Sequence, residues 1–160
     1  MAGIFKVNEV VSIAVEIEKR GEAFYQEMAE KACNDRVKQT LTFLAGEEVK
    51  HRKFFAEMLG RLKPLQLPAG SDESEYWAYV NDLIDSHFLF DDQWNQKLIS
   101  SVSSDQEVLH LATGFEKDSI LFFTELKSLV PSGEVKTIEA CVQEEKRHLR
   151  RLAEVMKATS

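Results

Sequence analysis

The chain has only three prolines and seven glycines in 160 residues, so little in it interrupts a long helix. Cysteine is as sparse. Cys33 and Cys141 lie far apart and form no metal-type spacing, and both read as reduced thiols. No apolar run reaches the roughly 20 residues that a membrane span requires. The N-terminal stretch carries Glu9, Glu16 and Glu18 among its apolar residues, which does not fit a secretory signal. A cytoplasmic protein without membrane contact is expected. Basic residues form no face of their own, and the net charge is −7 with both signs interleaved. Nucleic acid is therefore not an expected partner, because phosphate binding needs a basic surface. What is present is globular composition, 44% hydrophobic and 29% charged. A chain of this length can bury roughly 70% of its unfolded surface, so one domain over residues 1–160 is expected.

Four segments carry apolar residues three or four apart, the helical period. The first stripe is Val11, Ala14, Val15, Glu18, Gly21, Tyr25, Met28 and Ala32, with Asn8 as N-cap and Glu9 in the first turn. The second runs from about Asp35 to Leu59 through Leu41, Leu44, Glu48, His51 and Phe55, with Gly60 as its stop. The third starts at Ser104, where Ser104-Asp105-Gln106-Glu107 reads as a capping box, and runs through Leu109, Ala112, Glu116, Ser119, Phe123 and Leu126. The fourth starts near Ser132 and carries Ile138, Cys141, Glu145, His148, Leu152 and Val155. Short connections join the first pair and the last pair, which makes two antiparallel hairpins, residues 8–60 and 104–157. Between them lies a crossover, residues 61–103. It opens with Pro64, Pro68 and the polar run Gly70 to Ser74, then holds two shorter helical patterns, around Trp77 and around Trp94. The expected fold is all-α: a ferritin-like antiparallel four-helix bundle with a long, partly helical crossover between the second and third bundle helices.

The two hairpins also repeat each other. A shift of 98 pairs Ala14 with Ala112, Glu18 with Glu116 and Phe24 with Phe122. A shift of 97 pairs Thr40 with Thr137, Glu47 with Glu144, Glu48 with Glu145 and His51 with His148. Glu48-Val49-Lys50-His51 and Glu145-Lys146-Arg147-His148 are both Glu-x-x-His, a spacing that puts carboxylate and imidazole on one helix face. Chance can produce such pairs in a chain this rich in glutamate. It does not produce the apolar stripe around each, nor the lone stripe glutamate on the preceding helix.

Charge decides what these residues do. Glu18, Glu48, Glu116 and Glu145 aimed into one apolar core would strand four carboxylates, each costing several kcal/mol to desolvate, against a domain stability of about 5–15 kcal/mol. No Lys or Arg lies on these stripes to pair with them. Two divalent cations would neutralise all four, with His51 and His148 as neutral ligands. Oxygen and imidazole donors fit iron, manganese or zinc.

Taken together, Glu18-Lys19-Arg20-Gly21-Glu22-Ala23-Phe24-Tyr25, Glu47 to His51, Glu116 to Phe123 and Glu144 to His148 resemble the rubrerythrin-like branch of the ferritin-like superfamily. The resemblance covers the bundle helices and not the crossover. It implies a dinuclear iron centre cycling between Fe2+ and Fe3+, with Glu18 and Glu116 as terminal ligands, Glu48 and Glu145 as bridges, and one histidine to each ion. It also implies an oxidoreductase of peroxidase or oxidase type, acting on peroxide or dioxygen. Peroxidase members of that branch carry one more glutamate a turn after the third-helix ligand, where this chain has Ser119, and often a rubredoxin domain with Cys-x-x-Cys pairs, which these residues lack. The electron donor is expected to be a separate molecule. Val49 stands where haem-binding relatives place a methionine, so haem is not expected.

Several residues are given structural roles. Tyr25 is a core tyrosine that can hydrogen-bond a carboxylate ligand. Cys141 is a small buried residue, while His87 and His110 are solvated, as is the charged run from Glu144 to Arg151 apart from its ligands. Trp77, Trp94 and the segment Phe88 to Phe90 pack the crossover on the bundle or on a second subunit, and a homodimer is expected. A ferroxidase or iron-storage protein, and a bundle merely stapled by metal, are the competing readings.

Overall fold

The computed structural model describes residues 7–62, 73–87 and 90–160. All elements among them are helices: α1 (Val7–Lys31), α2 (Asp35–Arg61), α3 (Glu73–Ser86), α4 (Asp92–Ser101), α5 (Asp105–Leu129) and α6 (Ser132–Thr159). The four long ones have 25, 27, 25 and 28 residues, so their lengths match and their apolar faces can meet along their whole span. α1 packs mainly on α2 and α5 mainly on α6; the hairpins then meet along α1–α5 and α2–α6, and α3 lies on α5.

The caps are where the side-chain chemistry predicts them. Asn34 caps α2, its side-chain oxygen accepting from Arg36 N and Val37 N. Ser104 caps α5 by accepting from Glu107 N at 3.2 Å. The Glu107 carboxylate reaches back one residue further than a standard capping box, to Ser103 N at 2.7 Å. Asp105, in the first turn of α5, also accepts from Cys33 N and Asn34 N, both at 2.8 Å. That one carboxylate ties the α1–α2 turn to the start of the second hairpin.

Two expected boundaries move. Asn8 lies inside α1 and not at its cap, because the helix already includes Val7 and the Asn8 carbonyl accepts from Ser12 Oγ. α2 runs through Gly60 to Arg61. An exposed glycine costs a helix only about 1 kcal/mol, and the Arg61–Glu134 ion pair at 3.2 Å holds this last turn against α6. Pro64 and Pro68, the polar run from Gly70 to Asp72, Phe88, Leu89 and the Trp94 side chain lie outside the described residues.

The crossover helices form as expected, and Trp77 and Val80 of α3 are buried in the same core as the bundle residues. Phe90 is held by the Arg20 guanidinium, 4.8 Å above its ring, which fixes the end of this segment to α1. No helix among the described residues is long and apolar enough to cross a membrane.

Candidate metal centre

Each bundle helix brings one face of ligand-type side chains to the middle of the core. Glu18 comes from α1, Glu48 and His51 from α2, Glu116 from α5, and Glu145 and His148 from α6, and none is more than 4% exposed. Their donor atoms gather into two groups whose members all lie within 4.8 Å of one another: Glu18, His51, Cys141 and Glu145, and Glu48, Glu116, Glu145 and His148. Glu145 belongs to both groups. Glu48 belongs to the second, with its carboxyl also against that of Glu18. His51 Nδ1 stands 2.7 Å from Glu145 Oε1 and 3.7 Å from Glu18 Oε1. His148 Nδ1 stands 3.1 Å from Glu145 Oε2 and 3.7 Å from Glu116 Oε1. The two imidazoles stack, centroids 5.6 Å apart and planes 20° from parallel.

The cluster is electrostatically unfinished as pure protein. Among the described residues, both oxygens of Glu18, both of Glu48, Glu116 Oε2 and His51 Nδ1 are buried without a hydrogen-bond partner. Orphaned buried acceptors of this kind are rare because each costs about 1–3 kcal/mol or more. Burial drives the carboxyls of Glu18, Glu48 and Glu116 well above the usual range, and neighbouring carboxylates add to it. Glu145 goes the other way: burial opposes its charge, but contacts with His148 and His51 hold it well below the usual range. Burial also works against the His51 charge, yet Cys141, Glu145 and Glu18 around it raise its pKa. Without a cation, burial and mutual repulsion favour the protonated forms of Glu18, Glu48 and Glu116, while the histidine contacts favour the ionised form of Glu145. A divalent ion in each group would take the place of those protons and satisfy the orphaned oxygens. The donor set therefore fits the dinuclear metal centre that the sequence implies.

The surroundings add three residues. Tyr25, fully buried, donates its phenol hydrogen to Glu116 Oε1 through a short hydrogen bond, the carboxylate contact expected of it. Glu144 is not part of a solvated run: half-buried, it accepts from His51 Nε2 at 2.8 Å, which leaves Nδ1 free to face the cluster. Its identity with Glu47 in the internal repeat was the available signal. Cys141 is buried as expected, but its sulfur lies 3.9 Å from Glu145 Oε1 within the first donor group, and burial pushes its thiol up to about 11. Beside His148, a cleft of about 290 Å³ opens between α2 and α6, lined also by Phe43, Glu47, Glu144 and Arg147.

Comparison with known proteins now decides the family. The Rubrerythrin family profile matches residues 9–156. The chain belongs to the Rubrerythrin family. A crystal structure from Thermotoga maritima, of a protein assigned as ferritin-like and diiron-carboxylate, is 28% identical to it, with 98% of this chain and 97% of that one covered and a TM-score of 0.69. No curated protein matches the chain.

One feature of this rubrerythrin corrects the sequence reading. His87 is not solvated; it is 2% exposed, reaching from the end of α3 into the core. Its Nε2 lies 3.4 Å from Ser119 Oγ, one turn beyond Glu116, where peroxidase members of the branch are expected to carry a further glutamate. The rings of Phe115 and Phe90 meet it edge-on. Burial, with the Arg20 charge nearby, lowers the His87 imidazole to about 4, so it is neutral at physiological pH. His110 is exposed, as expected.

Proposed function

We propose that this rubrerythrin-family chain is a di-iron carboxylate oxidoreductase that reduces peroxide or dioxygen. The observation that carries the reading is the set of orphaned carboxylate oxygens facing two imidazoles in a dry core. Glu18, Glu48, His51, Glu116, Glu145 and His148 would hold two iron ions, with Glu145, common to both donor groups, shared between them. Iron in such a centre supplies the electrons for reduction by passing between its ferrous and ferric states. Manganese or zinc would fit the same donors, but zinc has no redox chemistry of its own.

The chain's own residues do the rest. Glu144 orients His51 through Nε2, the outer contact that fixes the tautomer and basicity of a ligating imidazole. The Tyr25 phenol keeps a proton beside Glu116, where a reduced oxygen species would need one. Phe55, Phe115, Phe123 and Leu44, all fully buried, exclude bulk water. The cleft beside His148 is a route for a substrate as small as peroxide. The electron donor is a separate molecule on this reading, and the working unit is a homodimer.

The test is anaerobic loading with ferrous iron followed by peroxide. Two irons per chain, oxidised within seconds and far faster than ferrous iron free in buffer, is the expected result, with the reaction lost in Glu145→Ala. A rate no faster than that of free iron would sink the oxidoreductase reading. A storage role separates by mass: a dimer in solution excludes a self-made cage.

A further inference from the structure

The two donor groups are related by the internal repeat but are not identical: Glu145 serves both, and Cys141 has no ligand-type counterpart. The shifts that pair the hairpins carry Glu18 onto Glu116, His51 onto His148 and Glu48 onto Glu145. The shift of 97 also carries Leu44 onto Cys141. Both are buried, Leu44 fully and Cys141 at 5% exposure. Each stands one turn before the Glu-x-x-His glutamate of its helix. At this position of the repeat one hairpin therefore carries a leucine and the other a thiol.

We infer that Cys141 is a ligand, and that the position formed by Glu18, His51, Cys141 and Glu145 is a sulfur-bearing metal site unlike its partner. This rests on the reading of the cluster as a metal centre and specifies one half of it. Two independent observations support it. The sulfur belongs to a group in which a donor atom from each of four buried residues lies within 4.8 Å of every other. Donors around one ion at roughly 2.0–2.3 Å stand about 2.8–4.6 Å apart, from cis to trans positions; the Cys141 sulfur and Glu145 Oε1 are 3.9 Å apart. Beside the sulfur, both Glu18 oxygens are fully buried and have no hydrogen-bond partner among the described residues. A carboxylate left so exposed to a thiol and an imidazole points to a cation between them.

The chemistry follows from the donor type. On binding, the sulfur–hydrogen bond breaks, a sulfur–metal bond forms and the proton leaves to solvent; no electron moves. A thiolate suits softer ions such as zinc, cobalt or ferrous iron, while the Glu48, Glu116, Glu145 and His148 position offers only oxygen and nitrogen. The two positions thus differ in the ion each prefers.

X-ray absorption tests this on the full chain carrying Cys33→Ser, since Cys33 is exposed and could take up metal itself. Zinc-loaded protein should show a sulfur shell at about 2.3 Å beside the nitrogen and oxygen shell at about 2.0–2.1 Å, averaging half a sulfur per ion. Cys141→Leu, which copies the other half of the repeat, should lose that shell. Its tighter zinc site should weaken at least ~10-fold, the lower end for removing even an outer contact of a metal ligand. The cobalt-loaded chain should likewise lose its sulfur-to-metal charge-transfer absorption. Two ions bound with no sulfur shell overturns ligation by Cys141 and leaves the metal centre standing. A chain that takes up no ion overturns the centre itself. The shell in the Cys33→Ser chain is decisive even if Cys141→Leu does not fold.

Discussion

Gly21 lies against Phe115 and Glu48 with no space for a side chain, and replacing it by alanine tests that packing. A Cβ added there would meet Phe115 Cζ at 2.6 Å, Phe115 Cε1 at 3.0 Å and Glu48 Oε2 at 3.3 Å. Carbon atoms rest about 3.5–4.0 Å apart, so the ring would have to retreat by about 1 Å. It has no room. Phe115 is fully buried, with the rings of Phe24, Tyr25 and His87 at centroid distances of 5.9, 5.5 and 5.9 Å. Overpacking of this kind costs typically about 1–3 kcal/mol, against roughly 1 kcal/mol gained from alanine's better helix propensity. Gly46, in the middle of α2, is the control: an added Cβ there meets nothing within 4 Å, so Gly46→Ala keeps the gain without the cost. The two variants should therefore differ by about 2 kcal/mol, or about 4–8 °C in Tm for a chain of this size. Thermal unfolding in chelator measures it. Because the added Cβ also meets Glu48 Oε2 at 3.3 Å, Gly21→Ala should weaken metal binding and Gly46→Ala should not. If Gly21→Ala melts at or above Gly46→Ala, the packing argument is wrong.

Removing metal should lower stability by about 2.7 kcal/mol for each ion released, from the state with free ion at a hundred times its Kd; equal melting with and without chelator would contradict the centre. The metal-free chain should lose stability as pH rises from about 7 to about 8.5. Glu18, Glu48, Glu116 and His51 have folded-state pKa values raised above their unfolded ones, so that range strips protons the fold retains. Glu145, held low, and His87, near 4, keep one state across it. Metal-loaded protein should show no such loss, because the ions displace those protons; parallel slopes in calorimetry refute this. Glu48→Gln should stabilise the metal-free chain at pH 8 by on the order of 1 kcal/mol while cutting metal affinity at least ~10-fold, seen in denaturant melts and metal titration. Tyr25→Phe, which copies Phe123 in the other half of the repeat, should cost about 1–3 kcal/mol; an unchanged unfolding midpoint would show that the Glu116 contact is dispensable.

How much of this could be read without coordinates depends on whether a residue's surroundings are local. The long helices and the cap at Ser104 follow from neighbours a turn apart, and so does the burial of the six donors. The glutamates share stripes with Leu41, Leu44, Leu109 and Leu152, which must face inward. His87 could not be placed that way. It ends a short helix of the crossover, and which side of that helix meets α5 depends on the docking of Trp77 and Val80 and on the grip of Arg20 on Phe90. Glu144 is hidden from the sequence for a related reason. Its own helix puts it at the edge of the apolar stripe, and only the approach of α2 turns that edge into the seat of a hydrogen bond. Cys141 was legible as buried but not as a donor, because spacing along α6 says nothing of Glu18 and His51 arriving from the opposite hairpin.

Each donor group draws on both hairpins: the first takes residues from α1, α2 and α6, the second from α2, α5 and α6. Neither half of the molecule owns a complete set, so an ion bound there would act as a fastener across the seam between them. Supply of metal would then add to the grip of the apolar core that both halves share.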